Sequence, residues 1–139
     1  MNIEDRVKKA YDLHHSGYNC AQAVVGAYID LFNMDMDQAM TIAYGFGGGV
    51  GMTREICGTL TGGAMVLGLK YGKGEADLKQ KKFVNEKVAA LCKEFEQAHG
   101  SVVCGELLGI RKTDKEVNRA TCDDLIMEVV RMLEKYLID

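Results

Sequence analysis

The chain has 139 residues, 47% of them apolar, with a formal net charge of −3. That suits one domain around one core and excludes a disordered chain. The weak charge, with no dense basic patch, argues against a nucleic-acid partner, and no uncharged apolar run reaches the roughly 18 residues of a membrane span, so no membrane insertion is expected.

The N-terminus MNIEDRVKKA is charged and helical in pattern, unlike a signal peptide, and predicts a cytoplasmic location. Ile3, Val7, Ala10, Tyr11 and His14 share one face of a first helix that ends at Ser16-Gly17. Asn19 is the expected N-cap of a second, with Cys20 at its first position and Val24, Ala27, Tyr28 and Leu31 on its apolar face. DMDQAMTIAYGF is a third helix starting at Asp35 or Asp37, broken by the glycines at 45, 47, 48, 49 and 51. Thr53 is the expected cap of a fourth, with Cys57 just past its first turn and Gly72 and Gly74 at its end. The fifth, Asp77 to Ala98, carries a stripe of Val84, Val88, Leu91, Cys92 and Phe95. Ser101 is expected to cap a short piece, VVCGELLG, with Cys104 in its first turn. Thr113 to Glu116 reads as a capping box, but the last apolar face (Leu125, Ile126, Val129, Leu133, Tyr136, Leu137) favours a restart capped by Thr121. No convincing strand and no repeat appears. The expected fold is all-α: one domain over 1–139, six or seven helices with a Gly-rich interhelical loop.

Five cysteines, at 20, 57, 92, 104 and 122, are many for a chain in a reducing compartment, where such residues are more often catalytic, redox-active or metal-binding than structural. No C-x-x-C exists, so the thioredoxin and usual zinc-finger patterns do not apply; C-x-x-C-H is also missing, so covalent haem is not expected. A lone free cysteine is usually a small buried hydrophobe, and Cys92, mid-helix on an apolar stripe, fits that description. Cys20, Cys57 and Cys104 instead fall in or beside a helix first turn, and Cys122 does so if Thr121 is a cap. Helix N-termini stabilise thiolates, the form that attacks disulfides and ligates metals.

The run GFGGGVGMTREICGTLTGG invites comparison with a phosphate cradle. Its flanks are helical, with no strand before it, and the Gly-Lys-Ser/Thr of a P-loop is missing. The glycines fit a tight turn followed by a ridge, Gly58 and Gly62, that lets another backbone come close to Cys57. His14 reads as a core histidine, His15 as solvated, and His99 as a cation suited to a helix C-terminus. Asp123-Asp124 reads as helix N-terminal charge, and Lys79 to Lys82 as a solvated face.

With these residues in view, the sequence resembles the redox-active family named for its C, GCAxxG, C, C pattern. GYNCAQAV, GFGGGVGMTREICGTLTGGAMVLGLKYG, GSVVCGELLG and TCDDLIMEVV correspond to its cysteine and glycine blocks, nearly the whole chain. One departure is Thr59, where the motif has alanine, a change expected to touch only local packing. That family is related to part of the split-Soret cytochromes, which bind haem and an iron–sulfur cluster. The resemblance implies a site of Cys20, Cys57, Cys104 and Cys122, with Cys92 extra, and a four-cysteine cluster as its cofactor; haem does not carry over.

The expected function is therefore redox activity of four convergent cysteines. They hold an iron–sulfur cluster or cycle as a dithiol and disulfide, Cys20 and Cys57 being the expected catalytic pair and an electron donor or acceptor the partner. A second reading is a non-catalytic helical module, homodimeric, that binds a small ligand or structural zinc for a transport or regulatory system.

Overall fold

The computed structural model describes residues 1–137; the last two residues of the expected 1–139 domain lie outside the described residues. Among the described residues there are seven α-helices: α1 (Ile3–His15), α2 (Cys20–Tyr28), α3 (Met36–Ala43), α4 (Gly58–Tyr71), α5 (Leu78–His99), α6 (Cys104–Leu107) and α7 (Cys122–Tyr136), with single 3-10 turns at Ile29–Leu31 and Tyr44–Phe46. Among the described residues there is no strand, only an isolated antiparallel bridge between Ile56 and Val103. The all-α expectation holds. No described helix is long and apolar enough to cross a membrane.

Helix α2 is the hub. Eight of its nine residues, Ala21 to Tyr28, are buried, and α1, α3, α4 and α7 pack around it. Asn19 caps it with a complete capping box: its side chain accepts from the Gln22 N–H, and Gln22 accepts from the Asn19 N–H. Gly58 and Gly62 of α4 face α2. A Cβ at Gly62 would lie 2.8 Å from the Ala21 carbonyl oxygen, so the two backbones pack without side chains between them. The remaining core is aliphatic and aromatic, with Leu60, Leu67, Leu91, Phe95, Leu107, Ile126 and Leu133 fully buried. The Tyr28 hydroxyl donates to the Val130 carbonyl at 2.6 Å, pinning α2 to α7.

Several local expectations change. Tyr11 is exposed and α1 instead buries Arg6 beside Val7 and Ala10. The guanidinium donates to Asp30 at 2.6 and 3.2 Å and to the Ala27 carbonyl at 2.9 Å, and lies 4.8 Å from the centre of the Tyr28 ring. Leu31 leaves the helical face at the 3-10 turn and is half exposed. Arg6→Met is expected to cost about 2 kcal/mol in denaturant unfolding, less than for a fully buried pair because Asp30 keeps contact with water. The hydrogen bond from Arg6 holds the Asp30 carboxyl below its ordinary range. This stabilisation is present above the unfolded carboxylate pKa and fades as pH falls through the lowered one.

Thr53 does not cap α4. Residues 45–55 coil into a left-handed turn in which Gly48, Gly49, Val50, Gly51 and Met52 all have φ between 58° and 70°, and Arg54 has φ 63°. The Gly45, Gly47, Gly48 and Gly49 carbonyls accept from the N–H groups of Gly51, Met52, Arg54 and Glu55, and the Thr53 hydroxyl reaches the Gly49 carbonyl at 2.9 Å. Three side-chain-bearing residues in this region cost about 1–2 kcal/mol each, which the ladder offsets. Helix α4 starts only at Gly58, so Cys57 is its N-cap. Ser101 likewise sits two residues early: Val103 is the N-cap of α6, and the Ser101 hydroxyl accepts from the Val103 N–H. Helix α7 restarts at Thr121, whose side chain accepts from Asp124, as the apolar face predicts.

Candidate functional site

Four separate segments bring four cysteines to one place. Cys20 is the first residue of α2, Cys57 the N-cap of α4, Cys104 the first residue of α6 and Cys122 the first of α7. All four line one cavity of about 170 Å³, with His14, Met52 and Arg54 also in its wall. A wider polar depression of about 590 Å³, walled by Glu106, Arg111, Lys115 and Arg119, holds no cysteine.

Each cysteine arrives for a local reason. Asn19 starts α2 and so sets Cys20 in its first turn; Thr121 does the same for Cys122. Cys57 and Cys104 are set side by side by short main-chain pairing: the Cys57 N–H donates to Val102 at 2.9 Å, and the Cys104 and Gly105 N–H groups donate to Glu55 and Arg54 at 2.6 and 3.1 Å. The left-handed turn packs against this pair, and a Cβ at Gly49 would lie 2.7 Å from the Cβ of Cys104. A side chain there would push the turn off the sulfur.

The electrostatics favour negative sulfur at Cys122 and oppose it at Cys20 and Cys57. Helices α2, α4 and α7 are long enough to carry a positive N-terminal end, and a cysteine is the first residue of α2 and α7 and the N-cap of α4. The Arg54 guanidinium donates to the Cys104 sulfur at 3.7 Å. Cys122 is held below the ordinary thiol range, first by a hydrogen bond from Cys20 and then by the charges of His14 and Arg54. The same bond pushes Cys20 far up, reinforced by burial and by the other three sulfurs. Burial pushes Cys57 up to about 11, opposed by its hydrogen bonds with Thr59. The Thr59 hydroxyl lies 3.0 Å from the Cys57 sulfur and is fully buried, so the departure from the alanine of the motif bears on the sulfur itself as well as on packing.

Cys20 and Cys57, the expected catalytic pair, line the same cavity, together with Cys104 and Cys122. Cys92 is not among the cavity's lining residues and packs against the core from α5, with burial raising its thiol pKa. His14 is a half-buried wall of the cavity, hydrogen-bonded to Asp123, and His15, expected in solvent, is bonded to the same carboxylate. His99 is buried and paired with Glu128 at 2.8 Å. Sequence reading missed Arg54: fifty positions from Cys104, it gives no local signal. Thr59 was legible in principle, since a residue two beyond an N-cap faces the cap side chain.

The fold and site define a small all-α protein with a four-cysteine cavity. Residues 18–136 match the family model described as "Putative redox-active protein (C_GCAxxG_C_C)", and the chain belongs to that family. It is also 25% identical to an uncharacterized protein of Archaeoglobus fulgidus, over 98% of this chain and 95% of that one. No solved structure matches it.

Proposed function

We propose that the protein is an electron carrier whose Cys20, Cys57, Cys104 and Cys122 hold one iron–sulfur cluster. The observation that carries this reading is the convergence of the four sulfurs on one small cavity. The donor set fits: four thiolates are the usual complement of such a cluster. Left to themselves, the four cannot all ionise, because each negative sulfur raises the pKa of its neighbours; Cys20 carries that penalty here. A cation among them removes it. Bound there, a cluster would supply one-electron transfer. The chain's own residues would do the rest: three helix N-termini and Arg54 offset the negative charge, burial of Cys57 and Cys104 limits water, and Thr59 donates to a sulfur.

Protein purified without oxygen is expected to be brown and to lose visible absorbance when dithionite is added. Zinc without colour would support a structural metal site instead. Thr59→Ala is expected to leave the iron content unchanged and lower the midpoint potential by roughly 40 mV, the equivalent of one hydrogen bond of about 1 kcal/mol on a one-electron couple.

A second reading is favoured by one observation, that Cys20 and Cys122 line the same cavity at the first positions of α2 and α7, with Cys122 held toward thiolate. In it the Cys122 thiolate attacks a partner's disulfide, and Cys20 resolves the mixed disulfide, leaving a Cys20–Cys122 bond and releasing the partner as a dithiol. Colourless, iron-free protein with a reducible Cys20–Cys122 link would support it.

A further inference from the structure

We propose that His14, His15 and Asp123 form a second metal site, a divalent-cation site of nitrogen and oxygen ligands beside the cysteine cavity. The three side chains each offer a ligand atom, and these atoms lie within 4.8 Å of one another. They come from the end of α1 and the first turn of α7, more than a hundred residues apart in the chain. His14 Nδ1 is 2.6 Å from Asp123 Oδ1, and His15 Nε2 is 2.8 Å from Asp123 Oδ2.

The three side chains are already gathered and oriented. His15 stacks on Tyr11 with ring centroids 4.0 Å apart, and His14 meets His15 edge-on, so the imidazole planes are held by neighbours other than the carboxylate. His14 and Asp123 are half-buried, 27% and 29% exposed, whereas His15 at 49% leaves a side open to water and to an entering ion. Two imidazoles and one carboxylate suit zinc, cobalt(II) or nickel(II) rather than calcium or magnesium, which prefer oxygen alone. With metal–ligand bonds of about 2.0–2.2 Å, the ion enters by replacing the shared protons; the two nitrogen–oxygen contacts open, and ligand atoms up to 4.8 Å apart draw together, which takes a side-chain adjustment of about 1 Å. Water completes the coordination on the His15 side.

The setting is mixed in charge. The negative C-terminal end of α1 favours a cation, although the carbonyls of Asp12, Leu13 and His14 already accept from Ser16, Gly17 and Tyr18, and the positive N-terminal end of α7 opposes it; Asp123 supplies the deciding negative charge. This site does not depend on a cluster. Cys122 and His14 line the cysteine cavity, so the two sites share a wall but no ligand.

The test is a cobalt(II) titration of the protein as purified, followed by visible absorption. One equivalent is expected to bind with the d–d bands of nitrogen and oxygen ligation, to be displaced by zinc, and to be lost in His15→Ala and in Asp123→Asn. Absorption from the cysteine site should stay the same in His15→Ala, and helical circular dichroism should show both variants folded, with Asp123→Asn melting lower because it weakens the α1–α7 contacts. Failure to bind in the folded protein overturns the proposal, as does cobalt uptake that is unchanged in His15→Ala. Metal bound by cysteine would announce itself by thiolate-to-cobalt charge transfer, so loss of the cluster reading and loss of this one give different spectra.

Discussion

Cys122→Ser is expected to strip the iron from the protein while leaving it folded. Cys122 is half-buried at the first position of α7, where serine is well tolerated, so the helix keeps its Thr121 cap and its apolar face. A serine hydroxyl is not a thiolate, and a three-cysteine set leaves an iron incompletely ligated. Iron per chain should fall to about a tenth or less, by analogy with the 10–100-fold losses that even indirect support residues give. Cys20→Ser and Cys104→Ser should behave alike. Cys57→Ser adds a fold cost, since Cys57 is buried in the core cluster, and is read alongside its helical circular dichroism. Cys92→Ser, outside the cavity, should keep full iron content. Iron analysis and visible absorbance of the five variants, with circular dichroism for each, check the set. Iron lost equally from Cys92→Ser would break the link between these four residues and the metal.

Gly62→Ala should destabilise the fold by about 1–3 kcal/mol, the usual cost of overpacking. Its new Cβ would meet the Ala21 main chain, the oxygen at 2.8 Å and the Cα at 3.1 Å, and the root of the Val24 side chain, its Cβ, at 3.1 Å. None of these is the movable end of a long side chain, so α4 must shift away from α2. Such a shift moves Cys20 relative to Cys57, and the variant should also lose iron more readily to a chelator. Gly68 on the same helix is the control, because a Cβ there meets nothing within 4 Å. Gly68→Ala should stabilise by up to about 1 kcal/mol through helix propensity alone. Urea unfolding of both variants separates close approach from propensity: opposite signs support the glycine ridge, and two stabilised proteins would remove it.

Much of this arrangement is legible in the order of the amino acids. The caps at Asn19, Asp35, Asp77 and Thr121 are short-range chemistry, and each starts a helix where expected. The position of two of the four cysteines, Cys20 and Cys122, at helix starts followed from the caps Asn19 and Thr121. What was not legible is the left-handed turn. Val50, Met52 and Arg54 are residues for which positive φ is unfavourable, so local preference points to Thr53 as a cap and a helix through Arg54. Tertiary pairing of residues 54–57 with 102–105 overrides that preference. The same pairing sets Cys57 beside Cys104, and no local pattern encodes it. Arg6 was hidden for a similar reason: a charged residue next to a buried face reads as solvent-facing until its partner, Asp30, folds over it.

The most direct test of the central claim is alkylation of native protein, purified without oxygen, with each cysteine read by mass spectrometry before and after removal of metal. Cys20, Cys92 and Cys122 are all half-buried, so exposure alone predicts similar labelling. The four-cysteine account predicts that Cys92 is labelled first while Cys20 and Cys122 are protected together with Cys57 and Cys104, and that chelation of iron releases the protection of Cys20 and Cys122 at once. Labelling of Cys20 and Cys122 at the rate of Cys92 in the untreated protein, unchanged by chelation, would contradict it.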